Sequence, residues 1–67
     1  MNRLPNLTPK KLEKILRKQG FLTLRQIGSH LHLYHPIQKI RVTIPTHNHD
    51  LKRKTLTTII RQAKIKL

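Results

Sequence analysis

A helix, three short antiparallel strands and a second helix, an α+β chain, is the architecture this sequence predicts. Three observations carry it. Apolar residues recur at helical spacing at the start, alternate with polar ones in three middle runs, and return to helical spacing at the end. The whole chain, residues 1–67, is expected to be one domain.

The first helix is expected over about 9–19. Thr8 is a suitable N-cap and Pro9 suits the first helical position, where a missing N–H costs nothing. Leu12, Ile15 and Leu16 share one arc, while Lys10, Lys11, Lys14, Arg17 and Lys18 fill the opposite one. Gly20 follows as a helix stop.

Period-two alternation then predicts strands over Phe21–Gln26, His30–His35 and Lys39–Ile44. Gly28-Ser29 and the His35-Pro36 step supply the turns, and Pro45 ends the third strand. Leu22, Leu24, Leu31, Leu33, Ile40, Val42 and Ile44 are expected to face inward. Leu56, Ile59, Ile60, Ala63 and Leu67 mark a second helix over about 54–66. Each helix has one apolar stripe, so both should cover the same sheet face. The open face should carry Thr23, Arg25, His30, His32, Tyr34, Arg41 and Thr43.

Charge points to the partner. Fifteen Lys and Arg oppose only Glu13 and Asp50, a net charge of +13 that calls for a polyanion. Cysteine is absent, which removes disulfides, thiolate metal sites and a thiol nucleophile. No apolar run of about 18 residues spans a membrane, and the N-terminus lacks the apolar core of a signal peptide. A cytoplasmic protein with a nucleic-acid partner and no membrane partner is expected. The helical stripes are core-type and cannot be spared for a lipid surface.

In this frame the chain resembles the HicA-type (YcfA-like) toxins of bacterial type II toxin–antitoxin systems. The residues that carry the likeness are Gly20-Phe21, Arg25-Gln26-Ile27-Gly28-Ser29-His30, Arg41-Val42-Thr43-Ile44-Pro45 with His47, and Thr55-Leu56 with Ile59-Ile60-Arg61-Gln62-Ala63. They fall in order over nearly the whole length. Lys54 and Lys64 stand where glycine is common in the family, and Ile27 where a basic residue is frequent. The resemblance implies a double-stranded-RNA-binding-like fold with a three-stranded antiparallel sheet and two helices on one face. It also implies an mRNA interferase, a small endoribonuclease toxin acting on messenger RNA. His30 would be its catalytic residue, Gly28 and Ser29 the turn that places it, and a HicB-type antitoxin its protein partner.

The residues themselves fit that chemistry. An imidazole exchanges protons near neutrality, so His30 can take the 2′-hydroxyl proton while the oxygen attacks the adjacent phosphate. His32 and Tyr34 are candidate general acids or base-stacking groups, and Arg25 and Arg41 candidate phosphate clamps. His47 suits a structural or RNA-backbone contact. Five histidines also raise the question of a metal. Alternation sends His35 to the other side from His30 and His32, and no carboxylate joins them, so no metal and no cofactor are expected.

Lys52, Arg53 and Lys54 precede or open the second helix, where cations oppose the helix dipole unless an anion binds there. They are expected to hold RNA phosphates. With Phe21 and Tyr34 the sole aromatics, there is no stacking platform, so cutting should follow accessibility more than base sequence. The rival function is a non-catalytic RNA-binding module, double-stranded-RNA-binding-like or ribosome-associated, with the same charge and fold.

Overall fold

A computed structural model of the chain describes residues 7–47 and 50–65; His49 of the histidine set and Leu67 of the second apolar stripe lie outside them. The elements are α1 (Pro9–Lys18), β1 (Leu22–Ile27), β2 (His30–His35), β3 (Ile40–Pro45) and α2 (Arg53–Ala63). The strands form one antiparallel sheet in the order β1-β2-β3. This is the expected α-β-β-β-α arrangement. The first and third strands sit one residue later than expected, and α2 ends at Ala63 rather than near 66.

Local chemistry sets both helix ends. Thr8 is extended and its hydroxyl accepts from the Lys11 N–H at 3.2 Å, capping α1. At the other end Gly20 N–H donates to Arg17 C=O and Phe21 N–H to Leu16 C=O, with Gly20 at φ +106°. That reciprocal pair is a Schellman closure. The C-terminus of α2 closes the same way, Lys64 N–H to Arg61 C=O and Ile65 N–H to Ile60 C=O, but with Lys64 itself at φ +55°.

One apolar cluster joins Leu12 and Leu16 of α1, Leu31 and Leu33 of β2, Val42 and Ile44 of β3, and Leu56, Ile59 and Ala63 of α2. Both helices therefore lie on one sheet face, which leaves the other open. Leu51 N–H donates to Leu7 C=O at 2.8 Å, and both side chains are buried, so the segment before α1 is clipped to the segment before α2. Phe21 joins this core rather than a strand.

Strand β1 departs from expectation. Leu22 and Leu24 are 54% and 48% exposed rather than buried. The register slips between Thr23 and Arg25, so that Leu22 opposes Tyr34, Thr23 opposes Leu33, and Arg25 opposes His32. The extra residue is a β-bulge, and it reverses the alternation within the strand. Leu22 thus shares the open face with Tyr34. Thr23 turns to the helix side, where its hydroxyl donates to Glu13 Oε2 at 2.7 Å. Glu13 is correspondingly half-buried, between the sheet and the basic arc of α1.

Candidate active site

The open face is built from three cross-strand rows. Leu22, Tyr34 and Arg41 form the first; Arg25, His32 and Thr43 the second; Ile27, His30 and Pro45 the third. Arg25, Arg41 and His30 are exposed, whereas His32, Tyr34 and Thr43 are partly covered. The structure therefore brings together all the candidate acid/base and clamp residues; of the open-face set expected from the sequence, Thr23 lies on the other side.

His30 stands at the first position of β2, directly after the Gly28-Ser29 turn. Gly28 has φ +56°, while Ser29 is not among the residues with positive φ. Positive φ at the first turn position alone suits the two-residue hairpin type that asks for glycine there. A Cβ on Gly28 would meet nothing within 4 Å, so its role is conformational and not one of space.

The turn is braced from below. Thr46 N–H donates to Ser29 C=O at 2.7 Å. The Gln26 amide donates to Gly28 C=O at 3.1 Å and lies 3.5 Å from Thr46 Oγ1. Two segments, the end of β1 and the residue after β3, thus converge on the two residues before His30, fixing the backbone from which its ring projects. Gln26 and Thr46 carry no periodic or motif signal for this role, because it depends on long-range contacts to backbone carbonyls.

Within the second row Thr43 Oγ1 and His32 Nδ1 are 3.4 Å apart, a contact that leaves His32 Nε2 for other partners. His47 is exposed just beyond Thr46, near the same turn. His35 is elsewhere, 7% exposed on the helix side, as alternation predicts. Gln38 N–H donates to its Nδ1 at 3.0 Å, which assigns the ring proton to Nε2, and Nε2 donates to Gln19 C=O at 3.1 Å. Its edge meets Phe21, ring centres 5.1 Å apart. Among the described residues, no three His, Asp or Glu are grouped closely enough to share a metal ion.

The start of α2 is electrostatically unbalanced. Lys52 is the N-cap and makes no side-chain capping bond, and no acidic residue lies in the first turn. Lys52, Arg53 and Lys54 are all exposed. No helix among the described residues is long and apolar enough to cross a membrane. The family model for the HicA toxin of bacterial toxin–antitoxin systems matches residues 9–65. A search of curated proteins gives no match.

Proposed function

The chain belongs to the HicA toxin family and is the toxin of a toxin–antitoxin system; from that premise we propose that it is a metal-independent endoribonuclease that cuts messenger RNA in the cytoplasm, with His30 as its acid/base residue. The observation that carries this reading is the placement of His30. It is exposed on a glycine turn braced by Gln26 and Thr46, and the adjoining rows of the same face present two guanidiniums, a second imidazole and a phenol. Simple RNA binding has no need of such a constellation.

In the proposed reaction the neutral His30 imidazole accepts the 2′-hydroxyl proton, and the 2′-oxygen attacks the neighbouring phosphorus. The bond from phosphorus to the 5′-oxygen breaks. That leaving oxygen takes a proton from His32 or Tyr34, giving a 2′,3′-cyclic phosphate and a free 5′-hydroxyl. Arg25 and Arg41 neutralise the non-bridging oxygens, where charge builds in the transition state. Lys52, Arg53 and Lys54 hold phosphates farther along the strand, supported by the unfilled N–H groups of α2. The protein partner is a HicB-type antitoxin.

The test is His30→Ala. The ring is exposed and leaves no core cavity, so the variant should fold normally and still bind RNA. Its cleavage rate should fall by about 10²–10⁴-fold. Wild-type cleavage should persist in EDTA and leave 2′,3′-cyclic phosphate ends. Wild-type activity in His30→Ala, or chelator-sensitive cutting with 5′-phosphate ends, would refute the mechanism. An inactive wild type that binds RNA would favour the non-catalytic module.

A further inference from the structure

On the face of the sheet away from His30, a groove of about 530 Å³ runs between the start of α1 and the end of the sheet. Pro9 and Leu31 line it with apolar surface, and Lys10, Glu13, Gln26 and Thr46 supply its polar groups. A second hollow on α1 shares Lys10 and Glu13 with it and is lined further by Lys14, Arg17 and Lys18. Such a volume lies within the ~300–1,000 Å³ of small-ligand sites.

Two features of its lining need an explanation. First, Glu13 is one of two carboxylates in a chain with fifteen Lys and Arg, yet it sits in this basic groove. For a plain phosphate track a carboxylate there is a defect. It is also held in place: Thr23 donates to Oε2 at 2.7 Å, which orients the carboxylate and leaves Oε1 and the second lone pair of Oε2 as paired acceptors. Second, Gln26 and Thr46 line the groove and also brace the Gly28-Ser29 turn that presents His30. A ligand seated there touches the same side chains that position the imidazole.

An oriented carboxylate flanked by a cation is complementary to one nucleobase edge above the others. Guanine presents two adjacent donors, N1–H and the 2-amino group, beside the O6 acceptor. Adenine, cytosine and uracil do not offer that pair. We propose that the groove between α1 and β1 is a guanine-reading subsite for the RNA strand, with Glu13 accepting from the donor pair, Lys10 donating to O6, and Lys14, Arg17 and Lys18 carrying the adjoining phosphates. The proposal rests on the ribonuclease reading only for which strand is read. It gives the enzyme base selectivity at one position displaced from the cut, at the far side of the Gly28-Ser29 turn. That needs no aromatic platform, since recognition runs through the Watson–Crick edge.

The experiment is equilibrium binding of short thymidine oligodeoxynucleotides that carry one guanine, adenine or inosine. They lack the 2′-hydroxyl and cannot be cut by the proposed route, so affinity is read on the intact wild-type protein. Guanine should bind roughly tenfold tighter than adenine, the scale of one good bidentate base contact. Inosine, without the 2-amino group, should lose most of that advantage. Glu13→Gln keeps an acceptor for Thr23 but removes the paired acceptors and the negative charge. It should abolish the guanine preference while raising affinity for the thymidine-only strand.

Base-indifferent binding by the wild type, or an unchanged preference in Glu13→Gln, would overturn the subsite. So would a Glu13→Gln protein that keeps its base preference and loses antitoxin affinity, which would make the groove a protein interface. Failure of the ribonuclease reading shows separately, as wild-type protein that leaves RNA uncut.

Discussion

A Cβ placed on Gly20 would stand 2.6 Å from Nε2 of His35. The helix stop and the buried imidazole are therefore one unit. Gly20 closes α1 in a left-handed conformation, and its bare backbone lets the His35 ring reach Gln19 C=O. Gln38 N–H on the other ring nitrogen ties the β2–β3 turn to the same point.

Gly20→Ala should accordingly destabilise the fold twice over, by forcing a side chain into φ +106° and by driving it into the ring. The expected cost exceeds about 2 kcal/mol, combining backbone strain with displacement of a packed group. The midpoint of urea unfolding measures it. An unchanged midpoint would show that the contact relaxes freely.

His35→Leu should separate stability from chemistry. It leaves Gln38 N–H and Gln19 C=O without their ring partner and removes the edge contact to Phe21. A loss of about 1–3 kcal/mol is expected. RNA cleavage per folded molecule should stay at the wild-type rate, because the ring faces away from the open sheet. A fall in that rate under conditions where the variant is fully folded would place His35 in the reaction.

Lys64→Gly should stabilise the protein. Lys64 occupies the left-handed position of the closing turn of α2, where a Cβ is unfavourable. Relief of that strain, less the added freedom of the unfolded chain, should gain roughly 0.5–1 kcal/mol. A rise in thermal midpoint is the readout, and a fall would mean that the Lys64 side chain contributes more than its backbone costs.

Replacing Lys52, Arg53 and Lys54 with Gln should weaken RNA binding and make it less sensitive to salt. Each phosphate contact adds roughly 0.7–0.9 to the slope of log affinity against log salt, so the triple variant should lose about one to three units. Fluorescence titration of RNA across a salt series checks this. An identical slope would remove the α2 end from the binding surface.

The element order is legible in the sequence because the central strand and both helices bury one stripe each. Leu31 and Leu33 lie inward and His30, His32 and Tyr34 outward on β2, where neighbours on both sides hold the register. The same alternation misleads in β1. That strand is an edge, and one unpaired residue near Leu24 sends Thr23 inward and Leu22 outward with no change in local composition. Periodicity counts residues along a chain, whereas a bulge exists only relative to the partner strand. Gln26 and Thr46 escape detection for a related reason, since their acceptors are turn groups set by folding.

The irregularity in β1 also bears on how the molecule behaves in company. Its outer rim is free of strand partners among the described residues, and it displays Leu22, Leu24 and Ile27 to solvent. A straight rim of that composition would recruit further chains by backbone pairing and grow into an aggregate. The kink near Leu24 breaks the row of amides and carbonyls, and Arg25 sets a charge beside it. One surplus residue thus works against colloidal association along an apolar margin.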